Sequence, residues 1–565
     1  MEAFRRWFGS TEPVWEFRPG AIAAVLVGIF VLGLVAVAAT FRPLGTPAIG
    51  FDAASSVLYF DRLASGQRLE AWVATTPKPL QTLLDGALYS VFGDWRSLSV
   101  VGTVEYAAMV ALAAALAWRV AGPVAAGLAG VGLIGSAQLL EDGALAYATP
   151  WAVLLWAIAG LALARGASGS VGGGADRGTG TASGVGAGGR RWSVAGFALL
   201  LAALLRIETF LILGMAAVAL AAWAALGGRR PGIERPPRAA ALVLVGFGAL
   251  PILCLHDWLL TGRPLYWLDV SSIVSTAISD SVKSAPELFK QLAGHYAGSP
   301  ARLAALTLAV LGLVDLLRRR QWAVAAGLLA IGPGLVAFLE LLALRHTYVS
   351  TRYQIPGDVA VVFGAAIGAD AVARVALARA TLARAGATAR MQAGSLPRAA
   401  GAALAGAAIA VLIASPFGPI NTDVRSSIDQ SIALQSNARD ALPEIRAAVD
   451  ALSDRPARVL TDVEKPNSGP QPRLYVPALL VPQMAVELDL PVWAVHEDTP
   501  NAGNLPAARL TEPLVVYVDL DAGGGAQTTD PVRTLADGLP GNVRIATLWS
   551  DESRGLWVLE VSPGS

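Results

Sequence analysis

Residues 51–84 read FDAASSVLYFDRLASGQRLEAWVATTPKPLQTLL. They carry three acids, Asp52, Asp61 and Glu70, and then Lys78 set between Pro77 and Pro79. What stands directly before them decides the fold. Residues 20–40 are an apolar run of about 20 residues, the length that spans a bilayer as a helix. The small residues at its end resemble a signal cleavage site. However, the run is longer than the usual signal core of about 7–15 residues and further spans follow, so it reads as an uncleaved first helix. The acid-bearing stretch is then the first loop beyond the membrane.

Composition agrees. The chain has 565 residues, 54% hydrophobic and only 15% charged, with mean hydropathy +0.54. A soluble domain carries about 25% charged residues. A net charge of +1 gives no footprint for nucleic acid. Cys254 is the only cysteine, which excludes an internal disulfide and a thiolate metal cluster. His256, His295, His346 and His496 are not at metal-ligand spacing. There is no P-loop, no G-x-G-x-x-G after a strand, no G-x-S-x-G and no H-E-x-x-H.

Further apolar segments lie near 99–117, 123–140, 143–164, 194–226, 240–260, 301–317, 321–344, 356–373 and 399–415. The 194–226 run is too long for one span and is broken by Arg206-Ile207-Glu208, so it reads as two helices. That gives about 11 spans. With the N-terminus inside, alternate connections hold Arg119, then Arg165, Arg177, Arg190 and Arg191, then Arg229, Arg230, Arg235 and Arg238, then Arg318-Arg319-Arg320, then Arg374 to Arg398. All four lysines fall on the other side with most of the acids, which satisfies the positive-inside rule. Residues 166–191 are glycine-rich and read as a flexible cytoplasmic linker. After the last span, residues 416–565 show a helical stretch near 425–453 and short β-type runs such as PRLYVPALLV, LPVWAVH, PLVVYVDL, VRIATLW and GLWVLEV. The fold class expected is mainly α: a polytopic membrane domain, 1–415, with an extracytoplasmic α/β domain, 416–565.

Several residues stand out for chemistry. Asp52 sits about a dozen residues beyond the first span. There a poorly hydrated carboxylate suits a general base, or it caps the helix that follows. Asp61-Arg62 reads as a solvated pair. Lys78, with its backbone restricted by its flanking prolines, suits a phosphate clamp. Glu141-Asp142 form either a second acidic motif or a polar turn. Arg206 and Glu208 lie amid apolar sequence, where a charge costs about 2.5–3.5 kcal/mol on insertion scales and signals function by default; the plain alternative is that they neutralise each other.

An acid just outside a first membrane helix, then Ala64-Ser65-Gly66, then Lys-Pro-Leu, resembles the first external loop of the GT-C membrane glycosyltransferases. That class uses polyprenyl-phosphate sugars and includes protein O-mannosyltransferases, the lipid A aminoarabinose transferase and arabinosyltransferases. LLRIETFLILG resembles its Leu-x-Arg-Pro-Glu stretch, with Ile207 where proline is common. HDWLLTGRPLYW (256–267) resembles its GxPL segment, and HTYVSTRYQIPGD (346–358) its Arg-Tyr-x-x-Pro motif. The resemblance covers about residues 20–375. It implies a GT-C fold, Asp52 as catalytic base, and Lys78, Arg206 and Arg352 on the donor phosphate. Glu141, Asp142, Glu208, Tyr353 and His346 are secondary candidates. No cofactor is fixed. Some families of the class hold a divalent cation on a second acidic motif, but Glu141-Asp142 is not of the Asp-x-Asp type, which leaves metal use open.

The function this implies is inverting transfer of a sugar from a polyprenyl-phosphate donor to an extracytoplasmic glycan, lipid or protein acceptor, in cell-envelope biogenesis at a bacterial plasma membrane. Two alternatives are a lipid-linked sugar transporter or flippase and a non-catalytic envelope assembly protein. Against the transporter, the sequence shows no repeated halves with matching broken helices.

Overall fold

The computed structural model describes residues 19–41, 49–69, 78–164, 184–225, 236–266, 284–345, 351–386, 422–453, 474–477, 480–490, 495–497, 513–519, 532, 539 and 543–563. The first helices are α1 (Pro19–Phe41), α2 (Phe51–Ala64), α3 (Pro79–Phe92), α4 (Arg96–Val120), α5 (Pro123–Ile134), α6 (Ala137–Ala144) and α7 (Ala148–Leu163). They are followed by α8 (Gly184–Ala203), α9 (Thr209–Ala225), α10 (Pro236–Phe247), α11 (Ala249–Thr261) and α12 (Ala285–Ala297). The bundle continues with α13 (Pro300–Arg318), α14 (Trp322–Leu329), α15 (Leu335–Leu344) and α16 (Ile355–Gly386). Last come α17 (Thr422–Ser453) and α18 (Val481–Glu487). A π-helical turn, Ala330–Gly334, joins α14 to α15 at Pro333, whose missing N–H breaks the regular ladder.

Among the described residues, five helices are long and apolar enough to cross a membrane, or six if the bent pair α5 and α6 is one span. That is fewer than the eleven expected. Ile22–Ala38, Ala148–Leu163, Arg191–Ala203 and Thr209–Ala222 are shorter apolar pieces, and segment 399–415 lies outside the described residues. The pair α5 and α6 bends by 69°. The 194–226 run does divide where its charges fall: α8 stops at Ala203 and α9 starts at Thr209. α8 begins at Gly184 and so takes in the last residues of the stretch expected as a linker over 166–191, whose first part, 166–183, lies outside the described residues. Glycine lowers helix propensity, but here a helix that continues into an apolar segment extends back into that stretch.

The core is the long helix α4, buried between α1, α5 and α7. Tyr106 is fully buried there, and its hydroxyl donates to the Leu133 carbonyl at 3.0 Å where α5 ends. The closest helix crossing is α13 on α16. A Cβ built on Gly368 would stand 1.9 Å from the Leu308 carbonyl oxygen, and one on Gly312 would stand 2.0 Å from that of Gly364. Gly368→Ala forces the two helices apart and is expected to cost about 1–3 kcal/mol or more, seen as a lower melting temperature in detergent. Gly327→Ala, with nothing within 4 Å of the new methyl, serves as the control and leaves stability unchanged or raises it.

The two ends of the bundle differ in character. At one end Asp315 binds Arg319 at 2.7 Å and Arg374 at 2.8 Å, Arg374 also binds Asp370 at 2.8 Å, and Arg319 reaches the Val120 carbonyl at 3.4 Å. Three of the connections predicted to share a side therefore meet. At the other end the Gly50 N–H donates to the Leu145 carbonyl at 2.8 Å, Gln81 to Ala146 at 3.1 Å, and the Leu69 N–H to Leu260 at 2.8 Å. Those loops all belong to the opposite predicted side.

Beyond the bundle, the described residues form a five-stranded sheet of order β2-β1-β3-β5-β4. Its strands are β1 (Leu474–Val476), β2 (Val495–Glu497), β3 (Leu514–Asp519), β4 (Val543–Asp551) and β5 (Leu556–Pro563). β1 runs parallel to β2 and β3, while β5 is antiparallel to β3 and β4. α17 and α18 cover one face. Leu434, Ala438, Leu474, Val476 and Val515 form a single apolar cluster with Leu58 and Tyr59 of α2 and with Leu260. The sheet unit therefore rests directly on the first-loop helix.

Candidate active site

Asp52 sits in the first turn of α2, where the residue that starts the helix is Gly50. The helix-cap alternative for Asp52 does not apply. A carboxylate in the first turn is favoured by the helix dipole, and its side chain turns to a partner: Lys78 Nζ lies 2.5 Å from Asp52 Oδ2. Lys78 immediately precedes α3 in an extended conformation, φ −124° and ψ 95°, with Pro79 at the first helical position. Proline disfavours the α region for the residue before it, so Pro79 holds Lys78 out of the helix and ahead of it. Both partners remain partly open, with side chains 21% and 15% exposed. Pro77 and Glu70 lie outside the described residues.

The polar face of α3 points inward. Gln81, Thr82 and Asp85 are buried, while Leu83, Val91 and Phe92 are exposed. That spacing, i, i+1 and i+4, places the three on one face of PLQTLLDGALYSVF. Burial pushes the Asp85 carboxyl up to about 8; a hydrogen bond with Gln81 and the charge of Lys78 oppose this, and Asp52 adds to it. The folded chain thus holds this proton up to about pH 8, whereas the unfolded chain releases it near the ordinary 3.8. Its contribution to stability is whole at low pH and is lost as pH rises from about 4 to about 8. Asp85→Asn cannot ionise and removes that loss. It is expected to melt above the wild type at pH 9 by up to about 5 kcal/mol of stability, with little difference at pH 4. Equal melting curves at both pH values would exclude a buried neutral Asp85.

Tyr59, two turns along α2 from Asp52, is completely buried. Burial raises its phenol well above its usual range, and Tyr266, Asp52 and Asp257 add to this. Asp257 and Tyr266 come from HDWLLTGRPLYW, so that motif does close on the Asp52 helix. Asp61 pairs with Arg62 at 3.7 Å, but Arg62 is buried and not solvated as expected. Its guanidinium donates to Gln67 Oε1 at 2.7 Å and to the Leu490 carbonyl at 2.8 Å.

Arg206 lies in the break between α8 and α9. It binds Glu208 through two nitrogens, at 2.7 and 3.1 Å, and Thr149 Oγ1 at 3.2 Å. Arg206 and Glu208 are 8% and 2% exposed, so the two charges do neutralise each other, in a buried bidentate pair. Asp142 and Tyr353 are close enough to act on the Arg206 charge. Asp142 is buried on α6, with Glu141 beside it half-buried; of the two alternatives, the polar turn does not apply, because the pair lies in a short helix. Glu105, buried on α4, lies within electrostatic reach of Asp85 on one side and Asp142 on the other. The ionisable groups of Lys78, Asp52, Asp85, Glu105, Asp142 and Arg206 thus act on one another in sequence from one candidate centre to the other. Neither Asp85 nor Glu105 stands out in the sequence reading, though Glu105, an acid inside a span, is a signal in its own right.

Arg352 belongs to a 3-10 turn, Thr351–Gln354, that leads into α16; its side chain and the whole of His346 lie outside the described residues. Next to this turn, His295 Nε2 lies 2.8 Å from Asp358 Oδ1. Among the described residues, no three His, Cys, Asp or Glu side chains form a group that could hold a metal ion.

No family model and no curated protein matches the chain. Solved structures do. The chain is similar to ArnT from Cupriavidus metallidurans in the apo state at 15% identity, over 96% of this chain and 98% of that one, with a TM-score of 0.47. It is similar to the same protein bound to undecaprenyl phosphate at 14% identity, over 96% and 97%, with a TM-score of 0.46. It is also similar to the oligosaccharyltransferase of Archaeoglobus fulgidus in the apo form at 12% identity, over 87% and 69%, with a TM-score of 0.49.

Proposed function

We propose that this chain is a polytopic, GT-C-type inverting glycosyltransferase that moves a sugar from a polyprenyl-phosphate donor to an acceptor hydroxyl beyond a bacterial plasma membrane, in building the cell envelope. The observation that carries the reading is the Asp52–Lys78 contact at 2.5 Å, made by the first loop after the first span and left partly open to a substrate. In this reading the membrane domain is 1–415 with eleven spans, and 416–565 lies outside the cytoplasm.

The two partners suit the two charge movements of the reaction. Asp52 takes the proton of the acceptor hydroxyl as its oxygen forms a bond to the anomeric carbon. The bond from that carbon to the phosphate oxygen breaks on the opposite face, which inverts the centre. Lys78 lies against the leaving phosphate and stabilises the charge that develops on it. Arg206 and Arg352 complete the phosphate site. Because Glu208 already occupies Arg206 Nε and Nη2, Arg206 takes phosphate either by sharing its remaining donors or by releasing Glu208.

The test is release of free polyprenyl phosphate by the purified protein. It is offered a panel of polyprenyl-phosphate sugars, with membrane glycolipid extract as acceptor. Turnover with one donor supports the reading and names the sugar. Donor binding without turnover on any acceptor would move the protein to the transporter class, and no binding at all would leave an assembly protein.

A further inference from the structure

α2 is gripped at both ends by the C-terminal unit. At its start, Gln435 of α17 forms two hydrogen bonds with a single residue: its Oε1 accepts the Ile49 N–H at 2.7 Å, and its Nε2 donates to the Ile49 carbonyl. Ile49 is three residues before Asp52. Gln435 and Ile49 are 7% and 4% exposed, so neither backbone group has water as a substitute. The next residue, Gly50, donates to the Leu145 carbonyl at 2.8 Å and lies so close to Tyr147 that an added Cβ would stand 2.5 Å from its ring. At the other end of α2, Arg62 donates to the Leu490 carbonyl, just past α18. Between the two ends, Leu58 and Tyr59 enter the apolar cluster shared with α17 and the sheet. A third tie joins Trp95 Nε1, which starts α4, to Glu487 Oε1 at 2.6 Å.

A side-chain amide that satisfies both backbone groups of one residue acts as an adjacent strand would, and it fixes that residue in direction as well as place. Each of these buried groups costs about 1–3 kcal/mol if left unpaired, which makes the register of the chain entering α2 hard to change. A base must lie within about 0.5 Å of its working position, and only Gly50 and Phe51 separate Asp52 from this clamp. We propose that the C-terminal unit is a catalytic buttress, in which Gln435 at one end of α2 and the Leu490 carbonyl at the other hold the helix that carries Asp52, with Gln435 as a positioning residue. The unit outside the membrane thereby acts on the reaction through the base, whatever acceptor it meets. This rests on Asp52 being the base.

The test compares full-length wild type, Gln435→Leu and Asp52→Asn in nanodiscs, by hydrogen–deuterium exchange over 49–60 and by turnover with the donor found in the panel assay. Gln435→Leu is expected to exchange faster at 49–56 and to lose about 10–100-fold in kcat, with the donor KM within about twofold of wild type. A purely structural role would lower the folded yield while kcat per folded molecule stayed at the wild-type value. Gln435→Asn, neutral and one methylene too short for both bonds, carries the same measurements should the leucine variant not fold. Unchanged exchange over 49–56 overturns the inference, as does unchanged kcat in a Gln435 variant when Asp52→Asn is dead. An active Asp52→Asn removes Asp52 as base, and with it the catalytic sense of the buttress, whatever the exchange shows.

Discussion

Asp52→Asn is expected to lower kcat by about 10²–10⁴-fold while the donor KM stays level or falls. The asparagine keeps the size and place of the carboxylate in the first turn of α2, so the helix entry through Gly50 and Ile49 is undisturbed. What is lost is the proton acceptor. The cost to stability is a separate effect. The pair with Lys78 is mostly covered but open to water on both sides, so its loss costs between the about 1 kcal/mol of an exposed pair and the about 3 kcal/mol at which breaking a buried pair begins; the loss of a first-turn acid adds about 0.3–1 kcal/mol. The expected loss in activity corresponds to about 3–5 kcal/mol of transition-state stabilisation. A variant that stays folded and barely turns over therefore separates chemistry from folding. Donor affinity moves the other way, because asparagine leaves the Lys78 ammonium to the phosphate alone. Full turnover in this variant would relocate the base, with Asp142 and Glu141 the next candidates. A rise in donor KM with kcat unchanged would make Asp52 a binding group.

The sequence carried the site as far as local patterns reach. Asp52 was legible because it follows an apolar run of spanning length, and Lys78 because a proline follows it. The break between α8 and α9 was legible because Arg206 and Glu208 interrupt an apolar run. Those signals are each contained in a few residues. That Asp52 and Lys78 touch was not legible, since they are 26 residues apart in the chain, across a stretch whose path no periodicity sets. Asp85 escaped because its helix is inverted, with its polar face inward and Leu83 and Phe92 outward; in water the same pattern would be read with the opposite face buried. Arg62 looked like a surface partner of Asp61 because the adjacent acid is the only partner a local reading offers, whereas its deciding contact, Leu490, is 428 residues away. Gln435 was invisible for the same reason, at a separation of 386. A polar residue on an amphipathic helix reads as surface until the chain that covers it is in place.

Glu208→Gln separates the two readings of Arg206. The carboxylate and the guanidinium are both buried, and removing one member of a buried pair costs about 3–5 kcal/mol because the other charge is left uncompensated. Thr149 Oγ1, the other side-chain acceptor bonded to Arg206 among the described residues, is neutral and cannot replace it. The variant is therefore expected to melt well below the wild type. If Arg206 faces the donor phosphate, undecaprenyl phosphate supplies the missing anion, and a saturating concentration restores a larger part of the stability of Glu208→Gln than it adds to the wild type. A double variant, Arg206→Leu with Glu208→Leu, removes both charges together. It is expected to melt closer to the wild type than Glu208→Gln does, and to show no extra response to the lipid. Thermal melting of the three proteins with and without undecaprenyl phosphate decides the matter. Equal shifts in all three would make the pair a structural lock between α8, α9 and α7, and would leave Lys78 and Arg352 to carry the phosphate.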